Sequence, residues 1–451
     1  MRAVWRTDAD YEATRRRMVW QKRIPDRFPE VIVTVASDAD VIDAVKLARS
    51  RGLRISVRAG GHSWIATSLR DGGMLIDLSQ LNGVTVNVQA RTAVAQPAIR
   101  NTEVMTALAQ HGLAFPAGHC PTVALGGYLL SGGQGWNQGT WGIACKNVIA
   151  IDLVNADGEL ITADENHNSD LLWASRGGGP GFPGVILRYH LRLFPMPKII
   201  MQSLYVYPLD VVEPIASWLS HTVASLPASV EQLLLMGLAP PKAAAQLHAP
   251  QQRHLTLWPV TYGDSAEETA AALAPLENCP VINQALLRQV NTPVSWDDLF
   301  AIEGNVFPEG YRYDVGIVWS DADPATVLGG LRDRLAQAPS IRTEILGAVT
   351  GPSVIDPSAR EMAYSMAAPL YIGSFTIWEN PEDDEANQRW HREMLRSLEP
   401  VTRGHYMGET DLTASPTRAR DSLGPGVWER LQKVRRRYDP EQVFFGHIGQ
   451  A

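Results

Sequence analysis

The sequence predicts an α+β fold that is divided into two domains. The chain has 451 residues, which is more than a single hydrophobic core usually holds. Its first part begins with a strand, a helix and a second strand, and glycine-rich loops follow. After Pro195-Met196-Pro197 the pattern changes to longer alternating strands with helices between them. This change favours a second domain built of strands and helices.

The elements of the first region are predicted from strand alternation and helix caps. The first helix begins at Ser37 or Asp38, which are favourable N-caps, and ends at Gly52. A turn over residues 155–158 joins the two strands of a predicted hairpin. The strands expected here cover residues 31–35, 54–58, 74–78, 83–88, 148–154, 160–162 and 185–194, and a second helix covers 102–111.

The second region contains four runs in which apolar and polar residues alternate, which predicts four strands. The Ala- and Pro-rich stretch Leu238–Pro250 is interpreted as a surface loop or connector. A helical pattern returns at residues 425–437, near the C-terminal end. The four predicted strands cover residues 202–207, 255–261, 313–319 and 372–378.

Composition excludes several classes of partner. The formal net charge of −8 disfavours nucleic acid, because binding to phosphates needs a basic surface. The sequence contains no run of about 18 apolar residues, so it predicts no membrane-spanning helix. The segment Met1–Phe28 has no apolar stretch typical of a secretory signal. The three cysteines, Cys120, Cys145 and Cys279, form no paired motif, so we expect a reducing, cytoplasmic compartment.

Two glycine-rich loops carry the main functional signal. Arg58–Ser63 contains His62, Gly118–Gly127 contains Cys120, and each loop follows a strand-like segment. Without Cβ atoms, glycine backbone can close on phosphate oxygens or on a planar ring. A nucleophilic side chain in such a loop lies within bonding distance of the bound group. Either residue alone is more often an ordinary buried side chain, but the pair suggests a flavin held by two covalent bonds.

Other motifs are weaker. A GxGxxG match within residues 179–184 is rejected as a dinucleotide fingerprint, because it precedes a strand rather than a helix. His62, His119 and Cys120 match no zinc-ligand spacing, so no metal is expected. The sequence contains neither a phosphate-binding GxxxxGK[ST] loop nor a GxSxG nucleophile motif.

The two loops and the C-terminal Tyr438-Asp439-Pro440, followed by Val443-Phe444, together resemble the berberine-bridge-enzyme-like FAD-linked oxidases of the vanillyl-alcohol-oxidase superfamily. The resemblance covers about residues 29–200 and 400–451. It implies a PCMH-type FAD-binding domain of two subdomains over residues 1–200. It also implies a substrate domain over 201–411, in which helices cover an antiparallel sheet. Residues 412–451 are expected to return to the first domain.

The resemblance also implies the contacts with FAD. His62 matches the family residue that bonds the flavin 8α-methyl carbon, and Cys120 matches the one that bonds C6. The alternative for Cys120 is a noncovalent contact with the ring. The cofactor-binding residues expected from the resemblance are Arg58, Ala59, Gly60, Gly61, His62, Ser63, Gly118, Cys120, Thr122, Val123, Gly126, Gly127, Gly132, Gly133 and Val185.

The catalytic base is expected near Tyr406-Met407-Gly408-Glu409-Thr410-Asp411, where many relatives carry a YxNYxD motif. Glu409 occupies the position of the second tyrosine. A buried carboxylate beside a flavin could have a raised pKa and accept a proton from a substrate hydroxyl or amine. Glu409 could equally be a surface carboxylate or orient a neighbouring hydroxyl, and Tyr406 is the alternative acid–base group.

The resemblance implies an FAD-dependent oxidoreductase that moves a hydride from a C–H bond of an alcohol, sugar or amine to flavin N5. Molecular oxygen is the expected acceptor, and Leu125 stands where relatives tune access of oxygen. The alternative is a dehydrogenase or cyclising oxidase of secondary metabolism that uses another acceptor, and a noncatalytic flavin binder is a third reading.

Four tryptophans, Trp258, Trp296, Trp319 and Trp378, either line the substrate cleft or belong to the core.

Overall fold

The computed structural model describes residues 1–351 and 361–449, and it confirms the α+β class. Three main sheets of four, five and eight strands, with a small two-stranded sheet, make up the strand framework. The helices are α1 (Tyr11–Arg17), α2 (Asp38–Ser50), α3 (Asn101–Ala109), α4 (Leu125–Leu130), α5 (Gln138–Trp141), α6 (Ser169–Ser175), α7 (Val212–Thr222), α8 (Pro241–Ala244), α9 (Ala266–Leu273), α10 (Trp296–Val306), α11 (Pro324–Leu335), α12 (Asp384–Leu398), α13 (Arg418–Asp421) and α14 (Val427–Tyr438).

The first sheet contains the predicted strand–helix–strand unit. The strands are β1 (Arg2–Trp5), β2 (Val31–Thr34), β3 (Ile55–Arg58) and β4 (Met74–Asp77), in the order β1-β2-β4-β3. β4 pairs in parallel with both β2 and β3. The Ser37 hydroxyl accepts a hydrogen bond from the Asp40 N–H and so caps α2, as predicted. Gly52 follows the helix with φ +64°, a conformation that favours glycine.

The second sheet is antiparallel throughout. Its strands are β5 (Val84–Asn87), β6 (Thr92–Ala95), β8 (Val148–Val154), β9 (Leu160–Ala163) and β10 (Val185–Arg192), in the order β5-β6-β10-β8-β9. β8 and β9 form the predicted hairpin. β10 begins directly after Gly184, so the GxGxxG match opens a strand, as expected. The two-stranded sheet pairs β7 (Leu113–Ala114) with β11 (Phe194–Pro195).

The third sheet has eight antiparallel strands, with helices packed on one face. α7, α9, α11 and α12 contact this face and enclose an apolar core. On β18, Leu370 and Ile372 point into that core, whereas Tyr371 and Phe375 point to the opposite face. The strands are β12 (Ile199–Tyr207), β13 (Glu231–Leu238), β14 (Arg253–Gly263), β15 (Leu287–Val294), β16 (Arg312–Ser320), β17 (Glu344–Val349), β18 (Leu370–Trp378) and β19 (Thr402–His405), in the order β15-β12-β14-β13-β17-β18-β16-β19.

The sequence did not predict every element of this sheet. β15 is an exposed edge strand in which most side chains face solvent, so it lacks the apolar alternation that marks a strand. The stretch read as a connector, Leu238–Pro250, contains α8, whose Ala243 is buried. Among the described residues, no helix is both long and apolar enough to cross a bilayer.

The C-terminal segment returns to the first sheet beside β3. Ile55 donates its N–H to the Val443 carbonyl at 2.7 Å and accepts from the Phe445 N–H at 2.9 Å. Asp439, which follows α14, accepts hydrogen bonds from the N–H groups of Val443 (2.7 Å) and Phe444 (2.9 Å). One buried carboxylate therefore fixes the turn that lays the C-terminal segment along the edge of the sheet.

We predict that Asp439→Ala lowers the free energy of unfolding by about 2–4 kcal/mol, because two buried N–H groups lose their acceptor. Urea denaturation of the two proteins measures the change. The matched control is Asp43→Ala, since Asp43 is exposed on α2 and should shift stability by no more than about 0.5 kcal/mol. Equal stability of Asp439→Ala and the parent protein would contradict this account of the C-terminal turn.

Candidate active site

A cavity of about 370 Å³ lies between the glycine-rich loops and the open face of the eight-stranded sheet. The loops Arg58–Ser63 and Gly118–Gly127 contribute to one wall. The facing wall includes Trp319, Tyr371 and Phe375 from the sheet, together with the turn after β19. Both regions of the chain therefore build a single site, as enzymes that bind ligands between domains often do.

The two glycine loops are in direct contact. A Cβ atom placed on Gly60 would lie 2.7 Å from the Cβ of Ala124, and one on Gly126 would lie 2.8 Å from the Cβ of Ala59. Such distances are too short for two carbon atoms that are not bonded, so glycine is required at both contacts. The absence of two side chains thus lets the loops approach closely enough to share one wall of the cavity.

His62 lies in the first loop as a neutral imidazole. Its Nε2 is 2.7 Å from the Thr122 hydroxyl of the second loop, and its ring stacks on Trp20 with centroids 4.4 Å apart. Burial, helped by the positive charges of Arg100 and Arg58, lowers the pKa of His62 to about 3. At neutral pH the ring consequently keeps a lone pair on one nitrogen.

Cys120 approaches the same threonine from the second loop. Its Sγ is 3.8 Å from the Thr122 hydroxyl, and burial raises the pKa of the thiol to about 11. The amide of Asn101 donates to the Cys120 carbonyl at 2.9 Å, whereas the buried Asn101 Oδ1 has no hydrogen-bond partner within the described residues. His62 and Cys120 therefore converge on Thr122, with an unsatisfied polar oxygen nearby.

The first-domain wall fits a flavin dinucleotide. Residues 60–63 line the cavity, and their backbone N–H groups have no hydrogen-bond acceptor in the described parts of the chain. Arg70, which also lines the cavity, donates to the Gly446 carbonyl and has no carboxylate partner among those residues. Free N–H donors and an unpaired guanidinium suit a diphosphate, and the apolar remainder suits a planar ring.

Glu409 and Tyr406 both line the cavity, in the turn after β19. The N–H groups of Glu409 and Thr410 donate to the Tyr406 carbonyl and hold this turn. Burial raises the pKa of Glu409 to about 7, although His119 and a hydrogen bond from the Tyr371 hydroxyl at 3.4 Å oppose the shift. Glu409 is therefore poised to exchange a proton near neutral pH.

Tyr406 is held as a hydrogen-bond acceptor. Its hydroxyl oxygen accepts hydrogen bonds from the backbone N–H groups of Gly133 (3.2 Å) and Gln134 (3.4 Å). Burial and the nearby Glu409 raise its pKa further above the ordinary value of a phenol. A phenol with a raised pKa is a poor base at neutral pH, so the geometry favours Glu409 over Tyr406 for proton removal.

The structure brings most of the residues predicted from the sequence to this cavity. Thr122, Gly132, Gly133 and Val185 lie outside its lining. Val185 points away because side chains alternate along β10, so Gly184 and Ile186 face the cavity and Val185 packs against the first sheet. In this geometry the side chain of Val185 therefore does not reach the cavity in which the cofactor was expected to contact it. The predicted residues that do line the cavity are Arg58, Ala59, Gly60, Gly61, His62, Ser63, Gly118, Cys120, Val123, Gly126, Gly127, Tyr406 and Glu409.

The structure also places Leu125 and the four tryptophans, which the sequence left between the substrate cleft and the core. Leu125 is buried in the core of the first domain and does not line the cavity, whereas its neighbours Val123 and Ala124 do. Of the four tryptophans considered, only Trp319 lines the cavity; Trp258, Trp296 and Trp378 pack elsewhere.

Sequence reasoning missed several lining residues. The missed residues come from three separate elements. Asn101 is the first residue of α3, Glu303 lies in α10, and Phe445 belongs to the C-terminal segment. The glycine cluster before β10, which is not a dinucleotide fingerprint, nevertheless contributes Gly184 to the cavity. The glycine content of this cluster was the only local sequence signal for any of these lining residues. The other residues belong to elements that tertiary packing alone brings together.

Comparison with known proteins agrees with the fold and identifies the family. Residues 29–164 match the family model described as an FAD binding domain. The chain is 30% identical to the FAD-linked oxidoreductase nodO of Hypoxylon pulicicidum over 99% of this chain and 97% of that protein. Among solved structures, 6-hydroxy-D-nicotine oxidase of Arthrobacter nicotinovorans superposes with a TM-score of 0.82 at 20% identity, covering 99% of this chain and 96% of the other.

A variant of berberine bridge enzyme described as a reticuline dehydrogenase superposes with a TM-score of 0.83 at 19% identity, covering 99% of this chain and 96% of the other. These matches extend over both domains, so the two-part architecture as a whole is shared. The first-domain wall described above lies largely within the matched FAD-binding region. The chain belongs to the FAD-linked oxidoreductases and has the PCMH-type fold of the berberine-bridge-enzyme-like enzymes.

Proposed function

We propose that this oxidoreductase carries FAD tethered to His62 and Cys120, and that it oxidises a C–H bond of a small molecule placed against the eight-stranded sheet. The observation that carries this proposal is the convergence of the two side chains on Thr122, at 2.7 Å and 3.8 Å, in the wall of a cavity that also holds Glu409. Bound FAD supplies the hydride acceptor, N5 of its isoalloxazine.

The ionisation states of the two side chains bear on the tether. A neutral imidazole is a nucleophile, and the low pKa of His62 keeps it neutral at physiological pH. Burial keeps Cys120 as a thiol, so a bond through its sulfur requires that the proton leave when the ring binds. The alternative for Cys120 is a noncovalent contact, which the first prediction below distinguishes.

Glu409 is proposed as the base. It lines the cavity, its pKa lies near 7, and the Tyr371 hydroxyl orients one of its oxygens. In the deprotonated state its carboxylate accepts the proton of a substrate hydroxyl or amine while the C–H hydride departs. Tyr406 positions the turn that carries Glu409, because its hydroxyl is fixed by two backbone N–H groups.

Molecular oxygen is proposed as the electron acceptor, and the cytoplasm as the compartment. The 6-hydroxy-D-nicotine oxidase neighbour is named as an oxidase, which supports the first point. Three free cysteines, two of them buried, support the second, since a reducing compartment keeps thiols unpaired. Formation of hydrogen peroxide during turnover in air tests the acceptor. Turnover that needs an added acceptor and yields no peroxide would identify a dehydrogenase.

We predict that the purified protein is yellow and that acid precipitation leaves the flavin with the polypeptide. His62→Ala and Cys120→Ala should each retain one attachment, and only the double variant should release free FAD. Absorbance of the supernatant after precipitation measures the release. Complete release from the parent protein refutes the tether. An unchanged visible spectrum in Cys120→Ala would show that the sulfur is not bonded to the ring.

We predict that kcat/KM rises with pH through a midpoint near 7, because Glu409 must lose its proton to act as a base and burial has raised its pKa. Glu409→Gln should lose activity by about 100-fold or more and should lose this midpoint. The measurement uses a sugar, alcohol or amine that bleaches the flavin anaerobically.

The matched control for Glu409→Gln is Glu379→Gln, since Glu379 is an exposed residue directly after β18. It should leave both the rate and the pH profile unchanged. A midpoint near 7 that survives in Glu409→Gln would assign the base to another group.

A further inference from the structure

The part of the cavity wall contributed by lining residues between 233 and 409 is acidic and aromatic. Its lining contains two carboxyl groups, those of Glu303 and Glu409, and the lining residues from this region include no lysine or arginine. Five aromatic side chains lie in the same wall: Phe307, Trp319, Tyr371, Phe375 and Tyr406. Carboxylates among aromatic faces are the surroundings that favour an organic cation.

Glu303 is the group without a partner. It lies near the end of α10 and is 5% exposed, yet its carboxyl group accepts no hydrogen bond and joins no ion pair within the described residues. The next residue, Gly304, approaches Pro121 of the Cys120 loop, since a Cβ there would lie 3.6 Å from the proline ring. Burial raises the pKa of Glu303. The charge of His119 opposes this shift but forms no ion pair with Glu303 within the described residues, so this buried carboxylate has no counter-charge in direct contact.

The cations near the cavity do not supply that charge. Arg58 is paired with Asp77 at 2.8 Å, and His119 Nε2 lies 3.9 Å from Glu231. Burial lowers the pKa of His119, but Glu231 and the other nearby carboxylates raise it by more, so the pKa of His119 is raised overall. The charge of His119 acts on Glu231, Glu303 and Glu409 together, and the ion-pair contact that it makes is the one with Glu231. Arg70 belongs to the first-domain wall and donates to the C-terminal segment.

We propose that the substrate is a small amine that binds as its ammonium ion, with Glu303 as the residue that recognises the charge and the aromatic rings as the surrounding faces. This proposal rests on the proposed function, because it names the substrate class for the same site. A neutral sugar or alcohol would leave the buried carboxylate unpaired, which disfavours those classes at this wall.

The charges balance through the reaction. Glu409 accepts one proton from the ammonium nitrogen, and the adjacent C–H hydrogen leaves with its electron pair as a hydride to FAD. The substrate is thereby oxidised from an ammonium to an iminium ion, and FAD is reduced by two electrons. Substrate and product each carry one positive charge, so Glu303 faces a cation before and after the hydride leaves.

Isothermal titration calorimetry on the flavin-loaded protein tests the recognition step without turnover. The probes are choline and its neutral isostere 3,3-dimethylbutan-1-ol, which differ in charge and scarcely in shape. We expect choline to bind at least about tenfold more tightly than the alcohol. Glu303→Gln should remove most of that preference and leave the affinity for the alcohol unchanged. Glu309→Gln, an exposed residue shortly after α10, should keep the preference.

Equal affinity for the two probes in the parent protein would overturn the proposal. So would a Glu303→Gln variant that weakens both probes alike, because that result would indicate a loss of shape rather than of charge recognition. A yellow protein that is bleached by neutral sugars or alcohols and shows no preference for choline would refute this inference and leave the proposed function standing. A protein without flavin would refute the proposed function, while the probe affinities would still decide the recognition of charge.

Discussion

The site depends on the contact between two glycine-rich loops that are separated by about sixty residues of sequence. Gly60 meets Ala124 and Gly126 meets Ala59 at distances that leave no room for another Cβ. This contact places His62 and Cys120 against the same threonine hydroxyl. Residues 60–63 of the first loop line the cavity and have N–H groups without an acceptor in the described chain. The wall follows from the omission of side chains, which is why glycine dominates both loops.

Burial gives the two walls of the cavity opposite electrical characters. On the first-domain side, burial keeps His62 neutral, which suits an electron-poor ring. On the same side, the guanidinium of Arg70 has no carboxylate partner among the described residues, which suits a diphosphate. On the sheet side it raises the pKa of both Glu409 and Glu303. The same physical effect, exclusion of water, thus prepares a binding wall for an anionic cofactor and a wall that can take up a proton or pair with a cation.

The sequence predicted the parts of the fold that local patterns determine. The capped helix α2, the β8–β9 hairpin and the helix α14 were all recognisable from caps, turns and periodicity. The edge strand β15 was not, because its exposed side chains lack the apolar alternation on which strand prediction depends. The C-terminal return was anticipated only through the family resemblance.

The candidate site was predictable where a short motif marks it and not where tertiary packing builds it. The loops around His62 and Cys120 carry a local glycine signal, whereas Glu303 resembles any other acidic residue of an amphipathic helix. Trp319 and Trp258 are equally plausible from sequence, and both lie on the face of the sheet opposite the helices. Only tertiary packing separates them, because Trp258 packs beside Trp136 in the core of the first domain, whereas Trp319 lines the cavity. Val185 was assigned to the cofactor although strand alternation turns it away, because the sequence predicted where β10 begins but not which face of the strand meets the cavity.

The most direct test of the account is mass spectrometry of peptides from the digested protein. If one FAD is held by both loops, the peptide that contains His62 and the peptide that contains Cys120 should be recovered as a single species, joined through one flavin. Recovery of both peptides with unmodified masses from a protein that was yellow before digestion would contradict the central claim that the two loops hold the cofactor through covalent bonds.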